Sequence, residues 1–296
     1  MTCVYNGLAG TPYGGRLNRD AMYRESLCTI ARAGLPIFCF VPAADVSLQE
    51  EYFRNCQGEI TFVPLELADT PRHATIQFLK ARDADRYAGL EWQERCVEIM
   101  WGKFFMLDRV LDTVPDAEYV YWIDAGLANA NIISTKYIAE ADLHNYRLSE
   151  VASAFPPKLF ARIREFAGDR ILALKTTQPH HPGVPAHYNR EPYQTSDGLI
   201  AGMFGGPRAR VSELTAMFRE KVDATLRDER LYFEESLLTG IYADRPDFFQ
   251  TFTFDTWYHE GWAAYNPSLV NFSQFFDLML ETPPSRRHLP FPWNAD

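Results

Sequence analysis

An acid closes a strongly apolar run near the middle of the chain. Tyr119-Val120-Tyr121-Trp122-Ile123 is β-branched and aromatic, which reads as a buried strand, and it stops at Asp124-Ala125-Gly126. In an open α/β sheet ligands bind beyond the carboxyl ends of central strands, so a carboxylate released there can meet a cation or a sugar hydroxyl. It can equally just cap the turn before a glycine. Asn129 and Asn131 follow closely, as amides that bind sugar hydroxyls or shape the turn. A second acidic site is the pair Glu234-Glu235, at the start of a short helical segment over 232–240. Acids in a first helical turn complement the helix dipole, and a carboxylate there can also serve as a general base. Neighbours on a helix point about 100° apart, so only one can face a given site. Glu234 lies nearer the N-cap, where backbone donors use a carboxylate; Glu235 is expected to reach the crevice.

Cationic and metal-ligating candidates are fewer. Asn6 begins a glycine-rich loop after a β-prone start, and the loop ends at Arg16, available for phosphate. It is neither GxGxxG nor a P-loop. Lys103 sits in the strongest helical pattern, over 91–112, with Val97, Met100, Phe104, Leu107 and Leu111 at core spacing; a lysine on a helix is ordinarily solvated. His259 lies among aromatics beside Gly261 and reads as ligand or core residue. His180, His181 and His187 fall in a proline-broken stretch over 176–194 without regular ligand spacing, which reads as a binding loop or lid.

The elements that must position these residues alternate. A helix over 18–33, with Met22, Leu27, Ile30 and Ala31 on one face, stops at Gly34. A strand over 35–41, a helix over 48–55 and a strand over 60–65 follow. After the aspartate strand, 132–166 mixes helix and loop, 170–175 reads as a strand, and 196–206 is a strand-like run of glycines and apolar residues. An amphipathic helix over 207–229 precedes the paired acids. Alternation of this kind predicts a mostly parallel, doubly wound α/β sheet flanked by helices. One domain over 1–281 is expected, with a proline-rich tail over 282–296.

A net charge of −10 and a pI near 5.2 exclude a nucleic-acid-coating surface and a polybasic membrane patch. An anion such as a diphosphate must be held by local groups. The five cysteines are scattered without a CxxC pair, and read as reduced core thiols of a cytoplasmic protein. No apolar run is long enough to span a bilayer, which leaves peripheral association as the only membrane contact expected, and no signal peptide is evident.

Trp122-Ile123-Asp124-Ala125-Gly126-Leu127 resembles the aspartate motif of GT-A-fold, nucleotide-sugar-dependent glycosyltransferases, most closely the WIDxG form of the bacterial HtrL/YibB-like family. The likeness extends from about Thr2 to Trp262. It implies a Rossmann-like GT-A fold and transfer of a sugar from a nucleotide-sugar donor to a glycan or glycolipid acceptor, in bacterial surface-polysaccharide synthesis. It further implies a donor site drawn from Arg16, Lys103, Asp124, Asn129, Asp197, Gly205 and Gly206. Asp124 and His259 become the ligands of a divalent cation, Mn2+ or Mg2+, and Glu235, with Glu234 second, the acceptor-side base. One departure stands out: Gly126 occupies the third position of the usual DxD and removes a carboxylate. Two other readings remain open, a sugar nucleotidyltransferase and a nucleotide- or glycan-binding protein without catalysis.

Overall fold

The computed structural model describes residues 2–5, 19–87, 96–127, 158–177, 197–255 and 279 of the chain. Seven strands form one sheet: β1 (Thr2–Tyr5), β2 (Ile37–Val41), β3 (Ile60–Pro64), β4 (Tyr119–Ile123), β5 (Ile171–Thr177), β6 (Asp197–Pro207) and β7 (Phe249–Asp255). Their order is β3-β2-β1-β4-β6-β5-β7. Neighbours are parallel throughout except at β6, which runs antiparallel to both β4 and β5. The described helices are α1 (Arg19–Ala31), α2 (Val46–Phe53), α3 (His73–Arg82), α4 (Cys96–Thr113), α5 (Lys158–Ala167), α6 (Arg208–Arg227) and α7 (Glu234–Asp244). The fold is thus α/β, with a mostly parallel sheet flanked by helices.

Side chains alternate across a strand with a period of two, and the core divides accordingly. Tyr121 and Ile123 of β4 pack with Leu27 and Ile30 of α1 and Leu159, Phe160 and Ile163 of α5. Val120 and Trp122 pack on the other side with Phe104 and Leu107 of α4, Leu214 and Phe218 of α6, and Leu237, Leu238 and Ile241 of α7. Phe104 is central to this second layer, stacked between Phe204 of β6 and Phe218, with ring centroids 5.2 and 3.5 Å away.

β6 breaks its own alternation. Its partners on β5 jump from Phe204, opposite Ala173, to Ile200, opposite Leu174, so Ala201, Gly202 and Met203 have no β5 counterpart. Ala201 faces the α4/α7 layer while Met203, two residues on, faces the α1/α5 layer. Extra residues on one strand bend it and re-aim its groups, and such bulges cluster near active sites.

Gly205, just beyond the bulge, has φ +148°, and a Cβ there would lie 2.3 Å from the Val120 carbonyl oxygen and 2.6 Å from the Tyr121 Cα. A Cβ on Gly206 would lie 2.7 Å from the Arg170 carbonyl oxygen. Close approach of β4, β5 and β6 explains both glycines. Three elements were not anticipated. α3 lies in a stretch without a clean apolar period. The buried face of α5, Leu159, Phe160, Ile163 and Ala167, falls at the end of the 132–166 stretch, which reads only as mixed helix and loop. In β7, Phe-Gln-Thr-Phe-Thr-Phe-Asp has no regular alternation until its second half.

Replacing Gly205 with alanine adds backbone strain and a steric clash together, and should cost about 3–5 kcal/mol. Urea unfolding reads this as a lower midpoint at an unchanged slope; a midpoint equal to the parent's would show that β4 and β6 do not approach so closely.

Candidate functional site

The same period of two places Asp124. Ile123 turns toward α1 and α5, so Asp124 returns to the face of Trp122, and the Trp122 Nε1–H donates to its Oδ1 at 2.7 Å. The backbone extends the β4–β6 ladder one further step, the Asp124 N–H donating to the Gly202 carbonyl at 2.8 Å, and the Leu127 N–H closes the turn onto the Asp124 carbonyl at 2.9 Å. From β1 the chain runs outward through β2 and β3 on one side, while β4 lies on the other. The carboxyl ends of β1 and β4 therefore flank the topological switch point, where open α/β sheets form their ligand crevice.

α4 brings Lys103 to this place. The Trp101 indole N–H donates to the Tyr232 carbonyl at 3.0 Å, tying α4 to the entry of α7. Two residues further along each segment, Lys103 Nζ lies 3.0 Å from Glu234 Oε1 and 3.0 Å from Asp124 Oδ1. It also donates to the Ala201 carbonyl at 3.0 Å. Lys103 is 5% exposed and Glu234 4%, whereas the Asp124 side chain is 44% exposed and forms the open side of the cluster. An ammonium has three donors, and here each has an acceptor. Lys103 is therefore an organiser of carboxylates, with no proton left for a phosphate.

The bulge explains why Ala201 takes part. Cut off from β5, its carbonyl accepts from Lys103 and its N–H donates to Glu235 Oε1 at 3.1 Å. One turn further along α7, the Thr239 hydroxyl accepts from the Leu199 N–H at 3.0 Å. Glu234 and Glu235 thus diverge to different partners, but not to those expected: Glu234 is held by Lys103, and Glu235 is engaged by the backbone of β6. The second oxygen of Glu234, Oε2, is buried without a hydrogen-bond partner. A buried acceptor in that state calls for a donor.

Burial alone would push the Lys103 pKa down. The charges of Asp124 and Glu234, with their hydrogen bonds, outweigh it and hold the value above the ordinary 10.5. Among the described residues one cation faces two carboxylates, which leaves the cluster short of positive charge and donors and suits a ligand rich in hydroxyls.

Of the residues singled out from sequence, Lys103, Asp124, Glu234 and Glu235 converge. Gly205 and Gly206 pair with Tyr121 and Val120, further back along β4. Asp197 begins β6 opposite Thr177, at the sheet edge where β4 ends. Arg16, Asn129 and His259 lie outside the described residues. Sequence reasoning missed the Trp122 indole and the Ala201 backbone. The first was readable from the i, i+2 spacing of Trp122 and Asp124; the second depends on a bulge that no residue type announces. Among the described residues no three His, Cys, Asp or Glu side chains converge as metal ligands. Asp124 Oδ1 faces an ammonium, so the described residues alone do not fit a divalent ion.

No family model matches the sequence, and no curated protein matches it. Similar solved structures include mouse xyloside xylosyltransferase 1 in its apo form, at 14% identity and a TM-score of 0.47, covering 93% of this chain and 91% of that one. Core-mannan synthase A from Aspergillus fumigatus, in a Mn/GDP form, matches at 8% identity and a TM-score of 0.47, over 86% of this chain and 72% of the other. The 4-diphosphocytidyl-2C-methyl-D-erythritol synthase of Anaerococcus prevotii matches at 11% identity and a TM-score of 0.41, over 95% of both chains.

Lys103→Met removes the cation that joins the two carboxylates and should cost about 3–5 kcal/mol, the usual penalty for stranding a buried charge. Native Lys103 holds its proton more tightly than the unfolded chain does. Its stabilisation is therefore complete below pH 10.5 and lost as pH rises beyond that value. Urea unfolding of parent and variant should show a constant gap from pH 7 to 10 that narrows above 10.5; a gap that widens with pH would contradict the pairing.

Proposed function

We propose that the chain is a nucleotide-sugar-dependent glycosyltransferase of the GT-A type, acting on a glycan or glycolipid acceptor in surface-polysaccharide synthesis in the cytoplasm. The observation that carries this reading is the buried Lys103 holding Asp124 and Glu234 together at the switch point, with Glu234 Oε2 still lacking a donor. Ionised carboxylates only accept hydrogen bonds, and the hydroxyls of a donor sugar are the donors that complete them. Asp124, on the open side, touches the sugar. Lys103 is a positioning residue. Arg16 is the group proposed for the leaving diphosphate, which the overall negative charge does not attract, and Asn129, Asp197, Gly205 and Gly206 complete the proposed donor site.

Glu235 is the proposed acceptor-side base. Its carboxylate steadies the β6 bulge through the Ala201 N–H, and removal of a proton from the acceptor hydroxyl would use its charge. Asp124 and His259 are the proposed ligands of a Mn2+ or Mg2+ ion, and chelation tests that part separately: loss of turnover in EDTA, restored by manganese, supports it, and full turnover in EDTA removes it.

Transfer from a labelled nucleotide sugar tests the whole reading. Asp124→Asn, nearly isosteric, should abolish transfer with the fold intact. Glu235→Gln keeps an acceptor for Ala201 N–H but loses the charge, and should lower turnover by about 10²–10⁴ at unchanged donor affinity. Glu234→Gln should lower stability and weaken donor binding together. Release of pyrophosphate, with the nucleotide joined to a sugar, would assign nucleotidyl transfer instead; near-normal turnover of Asp124→Asn would overturn the site.

A further inference from the structure

Away from this site, α1 carries a thiol that faces another. Cys28 and Cys56 are half-buried thiols outside any disulfide; the Cys28 side chain hydrogen-bonds Cys56, whose own thiol lies 3.9 Å from the Gln57 carbonyl. Cys28 projects from the last turn of α1, and Cys56 lies three residues after α2. The backbone shapes the turn after α2 and brings it against α1. The Cys56 N–H donates to the Phe53 carbonyl at 2.9 Å, turning the chain back. At Gly58 (φ +123°) the chain comes so close to α1 that a Cβ would sit 2.4 Å from the Ala31 carbonyl oxygen. Both cysteines also pack on the same apolar layer. The pair is thus fixed by main-chain packing and not by flexible side chains alone.

Its electrostatics favour one sulfur. The hydrogen bond from Cys28 lowers the Cys56 pKa; burial opposes this, and the charge of Arg32, just past the end of α1, adds to the lowering. A thiolate near a cation and partly open to solvent is the reactive form of cysteine. Cys39 is the contrast, fully buried, its pKa raised by desolvation.

We propose that Cys28 and Cys56 form a redox-active dithiol, a site of reversible oxidation that closes a disulfide between α1 and the turn after α2. With a peroxide as oxidant, the Cys56 thiolate attacks the O–O bond. The peroxide oxygen atoms leave as one water, formed with a proton from solvent, and as the hydroxyl of a sulfenic acid. The Cys28 sulfur then attacks the sulfenic sulfur, its proton leaves with the hydroxyl as a second water, and the disulfide forms. Two thiols are oxidised by two electrons, and the peroxide is reduced to two waters.

The test treats the full chain with a small excess of hydrogen peroxide, blocks free thiols, and maps peptides by mass without reduction. A linked peptide joining Cys28 to Cys56 should appear first and vanish with dithiothreitol. In Cys28→Ser, a dimedone adduct should accumulate at Cys56. In the untreated parent at pH 7, Cys56 should be alkylated at least about tenfold faster than Cys39, a measurement that does not depend on any variant folding. Absence of the linked peptide, an intermolecular bond in its place, or equal alkylation of Cys56 and Cys39 would overturn the proposal.

Discussion

One ammonium, buried at the meeting point of four elements, sets the geometry of the candidate site. Lys103 of α4 reaches the acid that ends β4, the first acid of α7 and a carbonyl of β6, each at 3.0 Å. Removing the charge would leave Glu234 inside an apolar layer without compensation. A buried ion pair contributes little net stability over a well-packed apolar substitute. The arrangement is therefore better understood through what it orients than through what it stabilises. Trp101 and Trp122 serve the same end: one indole fixes α7 against α4, the other fixes the Asp124 carboxylate.

The sheet makes that meeting possible. A regular β6 would pair Ala201 with β5 and leave no carbonyl for Lys103 and no N–H for Glu235. Skipping three residues opens the ladder beside the end of β4, and α7 supplies Glu235 and Thr239 to take the freed N–H groups. Gly205 lets β6 return to close contact with β4 immediately afterwards. Bulge, glycine and helix act together, and the crevice at the switch point is their product.

Much of this was readable in the residues. The strand at Tyr119–Ile123 and the acid after it follow from composition alone, and the core positions Val97, Phe104, Leu107 and Leu111 of α4 follow from helical spacing. Lys103 was harder. A lysine at that spacing is ordinarily solvated, and only tertiary packing buries it. The acids at 234 and 235 were separable by their angular offset, yet a local rule about N-caps could not foresee that distant partners, Lys103 and the Ala201 N–H, would claim them. The antiparallel course of β6 escaped a reading based on β/α alternation, because β5 and β6 follow one another without a described helix between them. Cys28 and Cys56 looked like ordinary core thiols, since 28 residues of separation hide their contact.

The central claim is that a nucleotide sugar binds where Lys103, Asp124 and Glu234 meet. Hydrogen–deuterium exchange of the intact protein, with and without saturating members of a nucleotide-sugar panel, addresses that claim directly. Binding is predicted to slow exchange together in the segments 122–127, 199–203 and 233–237, with the outer strands β3 and β7 unchanged. Protection confined to other segments, or none with any nucleotide sugar at saturation, would contradict it.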